Sequence, residues 1–145
     1  MSFGAAASRD TPKPGFPRVR PTDPCPCGSG GRYDGCCGPL LQGAPAPSAE
    51  RLMRSRYTAF VVGDSRYLSD TWHPGTRPDD LELDPSQRWT GLQIVAVEAG
   101  GPGDPRGVVE FRAEWRSGRE RGVLEERSRF VHRGERWWYL DGNVA

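Results

Sequence analysis

The segment 23–39 reads DPCPCGSGGRYDGCCGP and holds all four cysteines of a 145-residue chain. Four thiols in so short a stretch constrain the fold more than any other feature. Disulfides within Cys25–Cys27 or Cys36–Cys37 would be strained, because the bond wants Cα atoms about 5.5 Å apart in suitable orientation. Cross-pairing is sterically possible, but a chain this long buries enough core to fold without staples. Nucleophilic catalysis needs one thiol and a base, so four are redundant, and the C-x-x-C redox spacing is absent. Metal binding fits best. Zinc takes four thiolates in a tetrahedron at about 2.3 Å. The filler GSGGRYDG contributes glycines that let the chain reverse and bring Cys36 and Cys37 onto Cys25 and Cys27. Adjacent residues at a helix start diverge by about 100° and still reach one ion. Four thiolates leave no open coordination position, so such a site is structural. One zinc per chain is expected, with iron as the competing metal. Arg18, Arg20 and Arg32 are the candidates to offset its negative charge.

Residues 1–22 carry small residues and prolines without periodicity and read as a flexible arm. The cysteine module spans 23–43, and QGAPAPSAE reads as a linker. From Ala49 the period is helical. Met53, Tyr57, Phe60 and Val61 share one face, while Arg51, Arg54, Ser55 and Thr58 lie elsewhere. Ser48 is the N-cap, Gly63 ends the helix, and Asp64 caps a second one that carries Tyr67, Leu68, Thr71 and Trp72 up to Pro74. A turn-rich connection follows, with room for one short helix. After Arg88 the period becomes two. Strands are predicted over 89–100, 108–116, 123–132 and 136–142, joined by short turns. Two helices and then four strands give an α+β domain over 49–145, with helices packed on a curved antiparallel sheet. The linker implies separate units, so metal loss should leave most of the sheet domain's melting intact.

The third strand is mixed on both faces. If Leu124 and Phe130 point inward, Glu126 and Ser128 follow, and a buried carboxylate needs a partner, usually arginine. The candidate pocket residues are Tyr57, Trp72, His73, Trp89, Glu126, Ser128, Trp137 and Tyr139. Core packing explains the aromatic ones equally well. His73 also suits a helix C-terminus, and Asp141 a turn.

The net charge of +1 argues against nucleic acid as principal partner and against a membrane surface. No apolar run approaches the roughly 18 residues of a membrane span. The N-terminus lacks a signal-peptide pattern, so the expected compartment is the reducing cytoplasm.

CPCGSGGRYDGCC resembles the SEC-C motif, the small zinc module at the C-terminal tail of the SecA translocase motor. That resemblance implies Cys25, Cys27, Cys36 and Cys37 as ligands and Tyr33 as the packing aromatic. The lysine-rich filler of the translocase version is replaced here, leaving Arg32 alone. LMRSRYTAF, YLSDTWHP, VVEFRAEW, EERSRF and RWWYLDG resemble the YchJ family of small bacterial proteins. The family pairs a SEC-C motif with a nuclear-transport-factor-two-like domain, in which helices close a curved sheet into a cone. Two functions follow as expectations. As an adaptor, the zinc module docks a protein partner, the secretion chaperone or the ribosome by resemblance, and the cone holds a second ligand, a small molecule among the possibilities. As an enzyme of isomerase, dehydratase or hydrolase type, the cone uses His73, Glu126 or Asp141 as general base. The adaptor is favoured, because the one strong motif is a closed metal site.

Overall fold

The computed structural model describes residues 13–144. Cys37–Leu41 forms α1, Ala49–Val62 α2 and Ser65–Asp70 α3. The strands are β1 (Gln87–Ala99), β2 (Arg106–Ser117), β3 (Glu120–Arg133) and β4 (Arg136–Val144). They pair antiparallel in the order β1-β2-β3-β4. The architecture is the expected α+β one, with α2 lying against β1, β2 and β4.

Local chemistry sets the helix boundaries. Ser48 Oγ accepts the Arg51 N–H at 3.2 Å, which satisfies one of the free donors at the start of α2. Gly63 ends α2 with φ +78°, a left-handed conformation that glycine adopts without cost. Asp64 Oδ1 then accepts the Tyr67 N–H at 2.9 Å and starts α3. This second helix is shorter than the periodicity implies. Thr71 and Trp72 leave it to meet β4: Tyr139 N–H bonds Thr71 O at 2.9 Å, and His73 N–H bonds Tyr139 O at 2.8 Å. Competition from a strand edge thus ends α3 before Pro74. No helix forms among residues 71–86.

In β2, Val109, Phe111 and Ala113 are buried while Glu110, Arg112 and Glu114 alternate with them. That alternation covers one face with helices and solvates the other. The outer face carries ion pairs between strands, among them Arg112–Glu125 at 2.6 Å and Arg127–Glu110 at 3.4 Å. Register shifts at Trp89/Gly91, Ile94/Ala96 and Arg129/Phe130 bend the strands they interrupt.

Two expectations change. The first twelve residues of the 1–22 arm lie outside the described residues. The remainder lies against the domain: a Cβ on Gly63 would sit 2.5 Å from the Phe16 ring, and Asp34 N–H bonds Pro21 O at 2.9 Å. The cysteine module is also not set apart. Its four cysteines belong to one continuous buried cluster with Leu52, Met53, Tyr57, Phe111 and Phe130. The linker is short enough to fold α1 back onto α2.

One junction is unusually tight. Ala49 N–H bonds Gly100 O at 2.9 Å, so the start of α2 rests on the β1–β2 turn. A Cβ on Gly107 would lie 2.5 Å from Gly100 Cα and 3.0 Å from Ala49 Cβ. Backbone cannot yield there as a side chain does. Gly107→Ala is therefore expected to cost about 2–3 kcal/mol by overpacking, read as a fall in the urea midpoint at unchanged slope.

Candidate functional site

Two features flank α2, a thiol cluster on one side and a cavity on the other. The cluster begins with a hairpin: Pro24 bridges Arg32, and Cys25 N–H bonds Gly31 O at 2.9 Å. Cys36 is the N-cap of α1 and Cys37 its first residue, so the second ligand pair diverges at a helix start. All four sulfurs are buried and lie within 4.8 Å of one another. Cys27 and Cys36 Sγ are 3.6 Å apart, close to the ~3.8 Å sulfur–sulfur edge of a tetrahedron with 2.3 Å metal–sulfur bonds. All four cysteines are free. Donor type, number, burial and spacing therefore fit one metal ion held by four thiolates.

Electrostatics point the same way. The neighbouring thiols of Cys25 and then Cys37 push the Cys27 thiol down against burial. Cys25 is pushed up, chiefly by its bond with Cys27. Cys37 is pushed up by its bonds to Cys25 and Cys27 and by burial. Thiols packed this closely oppose one another's ionisation, and a bound cation relieves that opposition.

The supporting shell comes from α2. Arg54 Nη1 donates to Cys27 O at 2.7 Å and Arg51 Nη2 to Cys36 O at 3.3 Å. Thr58 Oγ1 lies 3.9 Å from Cys25 Sγ. These residues, spaced three and four apart, form one helix face, which the cysteine segment covers. Sequence reasoning placed them only off the Met53–Tyr57 face and looked instead to Arg18, Arg20 and Arg32. Arg32 pairs with Asp34 at 2.6 Å on the exposed loop. Two arginines on one stripe beside Thr58 were the available signal.

On the opposite side, α2 and the sheet form a cavity of about 190 Å³ that is open to one side. Tyr57, Trp72, Trp89, Glu126 and Tyr139 line it, joined by Arg56. Burial raises the Tyr57 hydroxyl to about 12. Glu126 Oε2 accepts from Ser128 Oγ at 2.6 Å and from Tyr139 O–H at 2.9 Å. Ser128 is fully buried and holds the carboxylate rather than lining the space. Arg56 is the arginine of this cavity. It is 3% exposed, and its Nη1 donates to Leu68 O at 2.8 Å and Thr71 Oγ1 at 2.7 Å. Its guanidinium stacks 4.3 Å from the Tyr139 ring centre and 5.2 Å from that of Trp72. Burial lowers its pKa to about 10, which leaves it charged at neutral pH. Sequence reasoning passed over Arg56, although on the helical wheel it lies beside Phe60, at the edge of the face that Met53, Tyr57 and Phe60 form.

The other candidates lie elsewhere. His73 Nδ1 accepts the Gly75 N–H at 3.0 Å, and its ring packs edge-on against Trp138 at 6.2 Å. Trp137 is buried beside His132 and lines a different space, a cleft of about 510 Å³. Asp141 makes two bonds with Arg129, at 2.6 and 2.5 Å, on the outer face of the sheet. Residues 126 and 129 have opposite parity in β3, so Glu126 and Asp141 sit on opposite faces. His73, Glu126 and Asp141 share no cavity among the described residues.

The family description "YchJ, middle NTF2-like domain" matches residues 48–142. The chain belongs to the YchJ family. A UPF0225 protein of Streptomyces coelicolor is 53% identical over 123 residues, covering 84% of this chain and 96% of that one. One from Chromobacterium violaceum is 46% identical over 83% of this chain and 93% of its own length. Among solved structures, a SEC-C motif containing protein from Rhodopseudomonas palustris is 34% identical with TM-score 0.72, covering 85% of this chain and 99% of that chain. A second, from Psychrobacter arcticus, is 28% identical with TM-score 0.65 over 86% of this chain and 84% of that one. The YchJ-family chain thus combines an NTF2-like domain with a SEC-C cysteine cluster able to hold a metal. Among the described residues no helix is long and apolar enough to cross a membrane.

Proposed function

We propose that this YchJ-family protein is a cytoplasmic zinc-binding adaptor whose four-cysteine centre is structural and whose cysteine module docks a protein partner. The observation that carries the reading is the closed, buried set of Cys25, Cys27, Cys36 and Cys37. Four thiolates fill the zinc shell, so the ion orders the chain and offers no coordination position for substrate. The cleft beside the segment it orders supports the docking reading. Leu40 and residues 43–46 form one wall of the 510 Å³ cleft, and Tyr67, Trp137 and Trp138 line its other side. Aromatic side chains flanked by charges of both signs, Asp70 and Glu135 with Arg77 and Arg136, suit a peptide segment better than nucleic acid, and the neutral Arg32–Asp34 loop adds no positive patch. Free thiols of this kind suit a reducing compartment.

Metal analysis of the purified protein should give one zinc per chain. Iron in its place, or folded protein without metal, removes the zinc assignment. For docking, Ala44→Arg fills the cleft from an exposed position without touching a cysteine. It should retain full zinc and lose partners that the unaltered protein captures. Identical partner lists at equal zinc content would end the adaptor reading.

A further inference from the structure

The cavity between α2 and the sheet is lined by two residues with hydrogen-bond donors not in use, Arg56 and Trp72. Arg56 uses Nη1 for the carbonyl of Leu68 and the hydroxyl of Thr71. Among the described residues no hydrogen bond reaches its Nε or Nη2, and none of the ion pairs includes it. Trp72 Nε1 is likewise buried without a partner. Buried donors left unpaired are costly, and a buried cation without a contacting anion more so. Both groups belong to residues lining the same 190 Å³ space, whose other walls are Tyr57, Phe60, Trp89 and Leu124. On the acceptor side, both bonds to Glu126 end on Oε2, and Oε1 receives none among the described residues.

Size and chemistry together define an occupant. A dry apolar cavity of roughly 150 Å³ holds one benzene ring, so this one takes a ring with one or two small substituents. A guanidinium edge bonds a carboxylate in bidentate fashion, and aromatic walls favour a flat ring. We propose that the cavity binds a single-ring aromatic carboxylate. Its carboxylate bonds Arg56 Nε and Nη2 and Trp72 Nε1, its ring lies between Tyr57 and Trp89, and a ring hydroxyl donates to Glu126 Oε1. This site uses none of the cysteines and lies on the opposite side of α2 from them.

Calorimetric titration of the intact, metal-loaded protein tests it with four probes: benzoate, 4-hydroxybenzoate, phenol and benzyl alcohol. Both carboxylates should bind saturably, the hydroxylated one more tightly, and both neutral probes at least about tenfold more weakly. Trp72→Phe keeps the ring and removes only the N–H, so benzoate affinity should fall by about tenfold. Glu126→Gln removes a like charge, so benzoate should tighten and the advantage of the hydroxyl should shrink. Absence of saturable binding by folded protein up to about 10 mM overturns the proposal. So do neutral probes binding as tightly as carboxylates, or unchanged benzoate affinity in Trp72→Phe.

Discussion

Stripping the metal with a strong chelator should abolish the near-ultraviolet signal of the sheet tryptophans together with the cysteine module, in a single transition. The four cysteines are at most 7% exposed and share their buried cluster with Leu52, Met53, Phe111 and Phe130. Arg51 and Arg54 tie α2 to the carbonyls of Cys36 and Cys27. Metal binding by structural sites of this type is worth about 10–16 kcal/mol, while a whole domain has a margin of about 5–15 kcal/mol. Loss of the ion therefore removes a share comparable with the total. Any fraction that stays folded should melt at least ~10 °C lower, and Cys37→Ser should reproduce the loss in metal-replete buffer. The proline-rich linker alone implied independent melting. A chelated protein that keeps its tryptophan signal and melting temperature would restore that picture.

Phe130→Ala should be the most damaging substitution away from the cysteines. Phe130 is 1% exposed and meets the Tyr139 ring edge-on at 5.7 Å. Truncating a buried phenylalanine costs about 3–5 kcal/mol, part transfer free energy and part cavity. That approaches the stability of the whole domain. Phe130→Leu keeps most of the volume and should cost less than about 1.5 kcal/mol. Chemical denaturation of the two variants checks the ordering. Equal losses would mean that the site collapses around alanine and is less closely packed than it looks.

What could be read from residue order was what neighbours in the chain decide. Ser48, Gly63 and Asp64 mark helix ends through bonds spanning three to five residues, and the period of two in β2 and β3 comes from the pleat. The four cysteines were legible because their spacing closes a shell locally. Burial of Ser55, Arg56 and Thr58 was not. It depends on α2 being covered on both sides, by a module earlier in the chain and by strands later in it. Asp141 and His73 looked chemical for a similar reason. Their residue types suit acid–base work, but strand parity turns Asp141 outward to Arg129, and a turn engages His73 with Gly75. The early end of α3 was hidden because a strand edge some 66 residues away competes for Thr71 and His73.

The double burial of α2 has a practical consequence for redesign. One helix, about 10 Å across, is the party wall between a four-thiol cluster able to hold a metal and a void, and most of its side chains serve one room or the other. Changing the wall to alter what the void accepts disturbs the ion's room as well. Ala113 and Leu124 line the same void from the sheet and bond to nothing in the metal's shell. Libraries aimed at a new occupant belong at half-buried Leu124 first, because Ala113 is 2% exposed and enlarging it risks overpacking.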